Sequence, residues 1–305
     1  MKIIITTVQV PFVRGGAEIL AEELLGVLQE AGHEVEIVAV PLKGYPPQNI
    51  LDTMLACRLL DIIESHGQSI DKVIGLKFPA YLIPHPRKVL WLLHQHRDAY
   101  DLWGHEYCNL CRYPDGFAIR DSIINSDHKT FAECSGIFTI AANVSKRLKY
   151  FSNFDSIPLY HPPKNSELFH CQPEKGYLFF PSRLNPIKRQ ELVLQSLAKT
   201  TNPVKVVFAG KSGDNFYHKK LISLAAELGV ADRVTFLGSI TEEEKIQHYA
   251  NALGIIYPPL DEDYGYVTLE GMLSSKPIIT CTDSGGPLEF VHHEDTGLIK
   301  ESPKR

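Results

Sequence analysis

No run of eighteen apolar residues occurs in this 305-residue chain, so no segment reads as a membrane-spanning helix. Cysteine is scarce. The six thiols are scattered rather than patterned, which suits reduced thiols in a cytosolic protein better than a disulfide framework. Positive charge is not in excess either: 31 Lys and Arg stand against 36 Asp and Glu. The resulting formal charge of −5 argues against a nucleic-acid binder, whose partner demands a basic surface. The start, Met1-Lys-Ile-Ile-Ile-Thr-Thr, breaks at Val10-Pro11 and lacks a cleavage site, so it does not read as a signal peptide. Low-complexity segments and internal repeats are also missing. What remains is an ordinary composition, 44% hydrophobic and 22% charged, at a length that suggests two domains. The expectation is a cytoplasmic two-domain protein.

The first half reads as alternating strands and helices. Lys2 to Thr7 is a β-branched strand, Gly15-Gly16 a glycine turn, 17–31 an apolar-striped helix closed by Gly32, and Val35 to Val40 the next strand. That is a βαβ unit, whose usual outcome is a parallel sheet. The glycine pair lets a ligand approach backbone amides at a helix N-terminus, although a tight turn alone would also explain it. A helix over Ile50 to Ser65 and strands at Lys72–Gly75 and Val89–Leu93 follow. The last ends at His94-Gln-His96-Arg-Asp98, a polar cluster where open α/β sheets place ligands, which makes His94 a candidate. Cys108 and Cys111 form a C-x-x-C without the second pair that zinc needs, so incidental thiols and a metal site both stay open, the former favoured. After a strand at Gly136–Ile140, Asn143 is placed to cap a helix from Val144 to Phe151. Its Lys146, Arg147 and Lys149 beside Tyr150 and Phe151 suit either a solvated face or a weak peripheral contact with an anionic membrane surface.

A strand over Ile157–His161 and a Pro162-Pro163 linker close the first half, giving domains of 1–161 and 177–305 with a linker at 162–176. The second half opens with the strand Tyr177–Phe180, followed by Arg183 and Lys188 ahead of a helix from Glu191 to Lys199. Two cations at a strand-to-helix crossing are placed to clamp a diphosphate. The strand 204–209 ends in a glycine turn at Gly210. A helix 217–228, a strand 233–236 and a helix Glu242–Asn251 lead to the strand Ala252–Tyr257. Glu262-Asp-Tyr-Gly-Tyr-Val-Thr-Leu-Glu270 comes next, before a helix expected to start near Met272 and a strand over Pro277–Thr280. Its two carboxylates would flank a strand-to-helix turn, where anionic and hydroxyl-rich ligands bind. A solvated acidic loop is the plain alternative.

Together these residues carry a resemblance. The second half resembles the family 4 retaining glycosyltransferases, which belong to glycosyl transferases group 1 and have the GT-B fold. The matching pieces are Arg183-x4-Lys188, the strand ending at Gly210, Phe236-Leu-Gly238, Glu262-x7-Glu270, Lys276-Pro-Ile-Ile279, Gly285-Gly286 with Glu289, and Thr296-Gly-Leu-Ile299. In the first half Gly15-Gly16-Ala-Glu18 and Leu93-His94 match the family's glycine loop and strand-end histidine. The resemblance implies an α/β protein of two Rossmann-like domains, parallel sheets facing across a cleft, the second domain holding the nucleotide-sugar donor and the first on the acceptor side. It implies Arg183 and Lys188 on the donor diphosphate, Glu262 and His94 at the transferred sugar, and Glu270 on the ribose. Gly15, Gly16, Gly210, Tyr264, Gly265, Gly285 and Gly286 would complete the donor site. The implied reaction is metal-independent, retaining transfer to a glycan, lipid-linked or other hydroxyl acceptor, as in polysaccharide biosynthesis, with no cofactor beyond the donor. It would proceed by front-face substitution in the cytoplasm or at the inner membrane surface.

Some positions depart from the family. Pro259 stands where serine is frequent, Arg189 where glycine is common, and Gly271 where alanine is usual, a change expected to loosen the helix start by about 0.5–1 kcal/mol. The chain stops at Arg305, six residues after Ile299, where family members continue, so the second domain reads as truncated. Two other enzyme readings remain: a metal-dependent single-domain enzyme using Asp261-Glu-Asp263, and a GT-B sugar-nucleotide epimerase. A non-catalytic nucleotide-sugar-binding or partner subunit is the alternative from another class.

Overall fold

The computed structural model describes residues 1–12, 15–213 and 215–302, without the side chain of Asn215. The chain divides into two units, Met1–His161 and Pro162–Arg305. In the first, β1 (Lys2–Gln9), α1 (Gly16–Glu30), β2 (Glu34–Pro41), α2 (Gln48–Leu59), β3 (Lys72–Gly75) and β4 (Lys88–Leu92) follow one another. Then come α3 (Gly116–Glu133), β5 (Gly136–Thr139), α4 (Ala142–Ser152) and the two-residue β6 (Ile157–Pro158). All six strands pair in parallel, in the order β2-β1-β3-β4-β5-β6. Central strands of such a sheet are covered on both faces, and Ile3, Ile5, Val73, Leu90 and Leu92 are buried accordingly.

The second unit runs β7 (Tyr177–Pro181), α5 (Gln190–Ala198), β8 (Lys205–Ala209), α6 (Asn215–Glu227), β9 (Val234–Phe236), α7 (Glu242–Asn251) and β10 (Gly254–Ile256). It ends with α8 (Tyr266–Leu273), β11 (Ile278–Cys281) and β12 (Gly297–Lys300). Its parallel sheet has the order β9-β8-β7-β10-β11-β12, the Rossmann sequence of 3-2-1-4-5-6. Aromatic residues fill its core. Phe208 stacks on Phe236 with ring centroids 5.2 Å apart, and Phe179 meets Tyr249 edge-on at the same separation. Residues expected as a linker pack here: Phe169 is buried in this core, and Gln172 and Lys175 donate their backbone N–H groups to Ala250 and Asn251.

Several elements differ from the sequence expectation. The helix expected to reach Ser65 stops at Leu59, and Glu64–Ser65 pairs antiparallel with Gln68–Ser69. His66 and Gly67 both have positive φ, as a tight two-residue hairpin turn requires. Helix α3 was not expected. Its buried face is Ile119, Ile123, Asp127, Thr130 and Phe131, and two polar members break the apolar stripe that would have revealed it. Asn143 is not an N-cap; Ala141 holds that position in extended backbone, and Asn143 lies in the first turn of α4. Helix α8 begins at Tyr266, not near Met272, so Glu270 is helical.

The reading of Gly271 is also corrected. A Cβ there would sit 2.7 Å from both Ile255 Cγ1 and Ile278 Cδ1, so the glycine lets α8 press onto β10 and β11. We expect Gly271→Ala to destabilise the fold. Overpacking costs roughly 1–3 kcal/mol, against at most about 1 kcal/mol gained in helix propensity. A lower urea midpoint with an unchanged denaturant slope would show this.

The first unit buries a charge without a cation beside it. Asp127 is fully buried on α3, and Tyr81 and Tyr100 each donate a hydroxyl to its carboxylate at 2.8 Å. Burial raises the carboxyl to about 7 against the two hydroxyl donors. In the unfolded chain it releases its proton near about 4. Between those values the folded state binds more protons, so this group makes stability fall as pH rises from about 4 to about 7. Asp127→Asn should remove that slope, on the order of a few kcal/mol, when unfolding free energies of the two proteins are compared across this range.

Candidate functional site

In an open parallel sheet, the chain leaves the first strand to one side and later returns to the other. The crevice at that switch, outside the carboxyl ends, is where ligands sit. In the second unit the switch lies between β7 and β10. After β7, Asn185 caps a single turn of 3₁₀-helix at Pro186–Lys188 by accepting from the Ile187 N–H at 3.0 Å. After β10 the chain runs through Tyr257 to Glu262. The Leu260 N–H donates to the Ile187 carbonyl at 2.8 Å, so the two connections are joined through their backbones.

Across that joint Lys188 forms an ion pair with Glu262. The Lys188 ammonium also donates to the Tyr257 hydroxyl at 3.2 Å, and that hydroxyl donates to Glu262 Oε2 at 3.0 Å. An ammonium has three N–H donors, and these two contacts use two of them. Burial first, and then the Glu262 charge, push the Tyr257 hydroxyl well above the usual range, so it stays protonated. Arg183, by contrast, is exposed, and its charge reaches Tyr257. Lys188 and Glu262 are therefore brought together around Tyr257, a tyrosine that the sequence reading did not single out. Tyr257 ends an apolar run, which hid its polar tip; its place at the carboxyl end of a strand was the available signal.

Glu262 is also held from the third side. Its N–H donates to the Ser284 carbonyl at 3.0 Å, and its carbonyl accepts from Gly286 at 2.7 Å. A side chain on Gly286 would meet the carbonyls of Tyr264 and Asp263 at 2.6 and 2.7 Å, so this approach requires glycine. Gly285 and Gly265 have φ of 69° and 88°, values that favour glycine. Gly210 serves a similar close crossing: a Cβ would lie 2.2 Å from the Ser182 carbonyl oxygen.

Glu270 and Tyr264 both have their side chains engaged within the second unit. Glu270 lies on the inner face of α8, where Oε1 accepts from Lys245 at 2.8 Å and Oε2 from the Tyr249 hydroxyl at 2.7 Å. Burial raises its carboxyl despite both donors, and 11% of its side chain is exposed. Tyr264 is buried, packed edge-on against Tyr266 and Phe290 with centroids 5.4 and 5.6 Å away, so its ring is core.

The other candidates lie in the first unit. His94 follows β4, and its Nδ1 stands 2.6 Å from the Gln95 carbonyl oxygen. A carbonyl only accepts, so Nδ1 carries a proton in this contact. Gly15 precedes α1 with its N–H donating to Glu18 Oε2 at 2.8 Å. Its φ of −150° is open to any residue, and a Cβ would meet that oxygen at 3.6 Å, so the fold itself does not demand glycine there. Gly16 is the first residue of α1.

Cys108 and Cys111 form a disulfide, which corrects the expectation of reduced thiols for this pair and removes both from metal binding. Cys57, Cys134, Cys171 and Cys281 are free. Among the described residues, Asp261 and Asp263 belong to no group of three His, Cys, Asp or Glu able to hold a metal ion, and no helix is long and apolar enough to cross a membrane.

Residues 166–305 match the family model described as glycosyl transferases group 1. This half of the chain belongs to that family. Mouse alpha-1,3/1,6-mannosyltransferase ALG2 is 30% identical over 165 residues, 49% of this chain and 39% of that protein, so the match spans about two fifths of this curated relative. An uncharacterised glycosyltransferase of Methanocaldococcus jannaschii is 23% identical over 98% of this chain and 84% of its own length. The crystal structure of Anabaena HepE in complex with UDP and glucose aligns at a TM-score of 0.68 and 18% identity, over 99% of this chain and 86% of that one. With two Rossmann-like halves, the chain has the GT-B fold that the resemblance implied.

The Arg189 position supplies a structural test. Arg189 holds φ of 61° between the 3₁₀ turn and α5, and its guanidinium grips Asp283 at 2.7 and 2.5 Å. Asp283→Asn should therefore destabilise the second unit in wild type, and far less in an Arg189→Gly background. A double-mutant cycle of thermal unfolding reads the difference.

Proposed function

We propose that the protein is a retaining, metal-independent glycosyltransferase that moves a sugar from a nucleotide-diphosphate sugar to a hydroxyl acceptor. The observation that carries this reading is the Lys188, Tyr257 and Glu262 cluster at the switch point of a Rossmann-ordered sheet, with Arg183 exposed on the same connection as Lys188. The third N–H of Lys188 and the guanidinium of Arg183 would bind the donor diphosphate and offset the charge that grows on it as the glycosidic bond breaks. Glu262, fixed through its backbone to Ser284 and Gly286, would contact the transferred sugar. By the resemblance, His94 would lie near the transferred sugar, and Gly15 and Gly16 would leave room for the donor phosphates. Glu270 would reach the ribose only with what its bonds to Lys245 and Tyr249 leave over, and so acts first by fixing α8. A phosphate oxygen of the leaving group would take the acceptor's proton, which needs no separate base. Support comes from the family match over the second unit and from HepE, a GT-B neighbour whose structure holds UDP and glucose.

A ligand-observed NMR screen of UDP-, GDP- and ADP-sugars should find one donor that binds. With that donor, Lys188→Ala should lower the transfer rate by roughly 10²–10³-fold, the cost of one well-placed charge-stabilising donor. Glu262→Ala should lower it by a similar factor, with thermal unfolding of both variants unchanged within a few degrees. Transfer should persist in excess chelator. Wild-type rates in both variants would overturn the assignment, and loss of activity with chelator, restored by a divalent cation, would overturn metal independence.

A further inference from the structure

Lys188, Tyr257 and Glu262 form a triangle whose corners differ in freedom. Tyr257 is the fixed one. It follows β10 directly, its backbone N–H donates to the Ile279 carbonyl on β11 at 2.8 Å, and its carbonyl accepts from the Thr280 hydroxyl at 2.8 Å. Its ring packs edge-on against Phe180 of β7 with centroids 5.8 Å apart, and only 2% of the residue is exposed. The hydroxyl thus sits where β7, β10 and β11 put it. Lys188 reaches the same point on a flexible four-carbon stem from a single 3₁₀ turn. The Lys188 and Glu262 side chains keep 17% and 16% of their surface exposed, so a ligand can reach the charged pair.

A phenylalanine would fill this part of the core equally well, and a buried hydroxyl costs free energy unless it is paired. Among the described residues the partners of this hydroxyl are the two site charges. A phenol carries one proton, and here it goes to Glu262 Oε2 at 3.0 Å, while the oxygen accepts from the Lys188 ammonium at 3.2 Å. Burial holds the hydroxyl protonated and neutral. An ammonium set between two anions divides itself, so a diphosphate arriving beside Lys188 competes with Glu262 for the same charge. A neutral hydroxyl on a fixed ring is not drawn away like that.

We infer that Tyr257 is a positioning residue for Glu262: its hydroxyl keeps that carboxylate aimed at the transferred sugar while Lys188 turns to the donor diphosphate. The inference rests on the proposed glycosyl transfer and adds to it a residue that touches no substrate. Its test separates the two. Tyr257→Phe removes one oxygen and keeps the ring against Phe180 and both backbone bonds, so its thermal unfolding should stay within a few degrees of wild type. The whole chain is assayed with UDP, GDP and ADP and with the corresponding nucleotide sugars. Nucleoside diphosphate affinity should stay within about 2-fold of wild type, because Lys188 and Arg183 are still there to serve the phosphates. The kcat for transfer should fall roughly 10- to 100-fold, the range of one hydrogen bond to a charged group, while KM for the donor changes far less. Coupling is the deciding readout. In a Glu262→Ala background the same change should lower kcat by less than about 2-fold, since the carboxylate it positions is already gone. An unchanged kcat in Tyr257→Phe, an equal fall in both backgrounds, or diphosphate affinity lost in step with kcat would overturn the positioning role and leave the transferase reading standing. A wild-type chain that transfers no sugar would instead remove the reading on which it rests.

Discussion

The backbone joint between the connections after β7 and β10 is the constraint on which the candidate site depends. One hydrogen bond, from Leu260 to Ile187, sets the spacing of two segments that lie far apart in the sequence. Only with that spacing fixed does the Lys188 ammonium reach both Glu262 and Tyr257. The third connection, after β11, adds Ser284 and Gly286 to the same knot. Charge placement then costs little at the moment of ligand binding, because the groups are already held. Glycine at 286 is a condition of the arrangement, since any side chain would strike the carbonyls of Asp263 and Tyr264.

The two glutamates of the Glu262-x7-Glu270 pattern illustrate how one motif divides its labour. Both face a lysine and a tyrosine: Lys188 and Tyr257 for Glu262, Lys245 and Tyr249 for Glu270. Their settings differ. Glu262 sits on a loop at the sheet's carboxyl edge, whereas Glu270 is enclosed between α7 and α8, where burial raises its carboxyl. A carboxylate so enclosed needs its lysine to be tolerated at all. Glu270 therefore ties the two helices that carry the edge of the site, and Glu262 is the member able to meet a ligand.

How far the sequence could be read follows from the same physics. Strands covered on both faces appear as short β-branched or aromatic runs, and the alternation of such runs with helical stripes made the two α/β sheets legible. The charged site residues were legible too, because cations and carboxylates at strand ends have few structural reasons to be there. Helix α3 was not, since its buried stripe includes Asp127 and Thr130, whose acceptability depends on distant tyrosines. Tyr257 was missed because a hydroxyl at the end of an apolar run looks like core. Tyr264, which only the resemblance had singled out, packs its ring against Phe290 and Tyr266.

Arg189 shows why local departures have to be weighed against their surroundings. A non-glycine residue at φ of 61° is disfavoured by roughly 1–2 kcal/mol, so arginine there looks like a loss against the glycine that the family resemblance implies. Its guanidinium, however, reaches the Asp283 carboxylate through two parallel bonds, and Ser302 donates to the same group. Burial acts to raise the Asp283 carboxyl, yet these donors bring it below its ordinary range, so the charged form is the one the fold selects. Asp283 in turn gives its backbone carbonyl to Asp261, immediately before Glu262. The backbone cost at Arg189 is thus offset by a charged bridge from the start of α5 to the connection after β11. Through Asp261 that bridge steadies the loop carrying Glu262, which a glycine at 189 could not do.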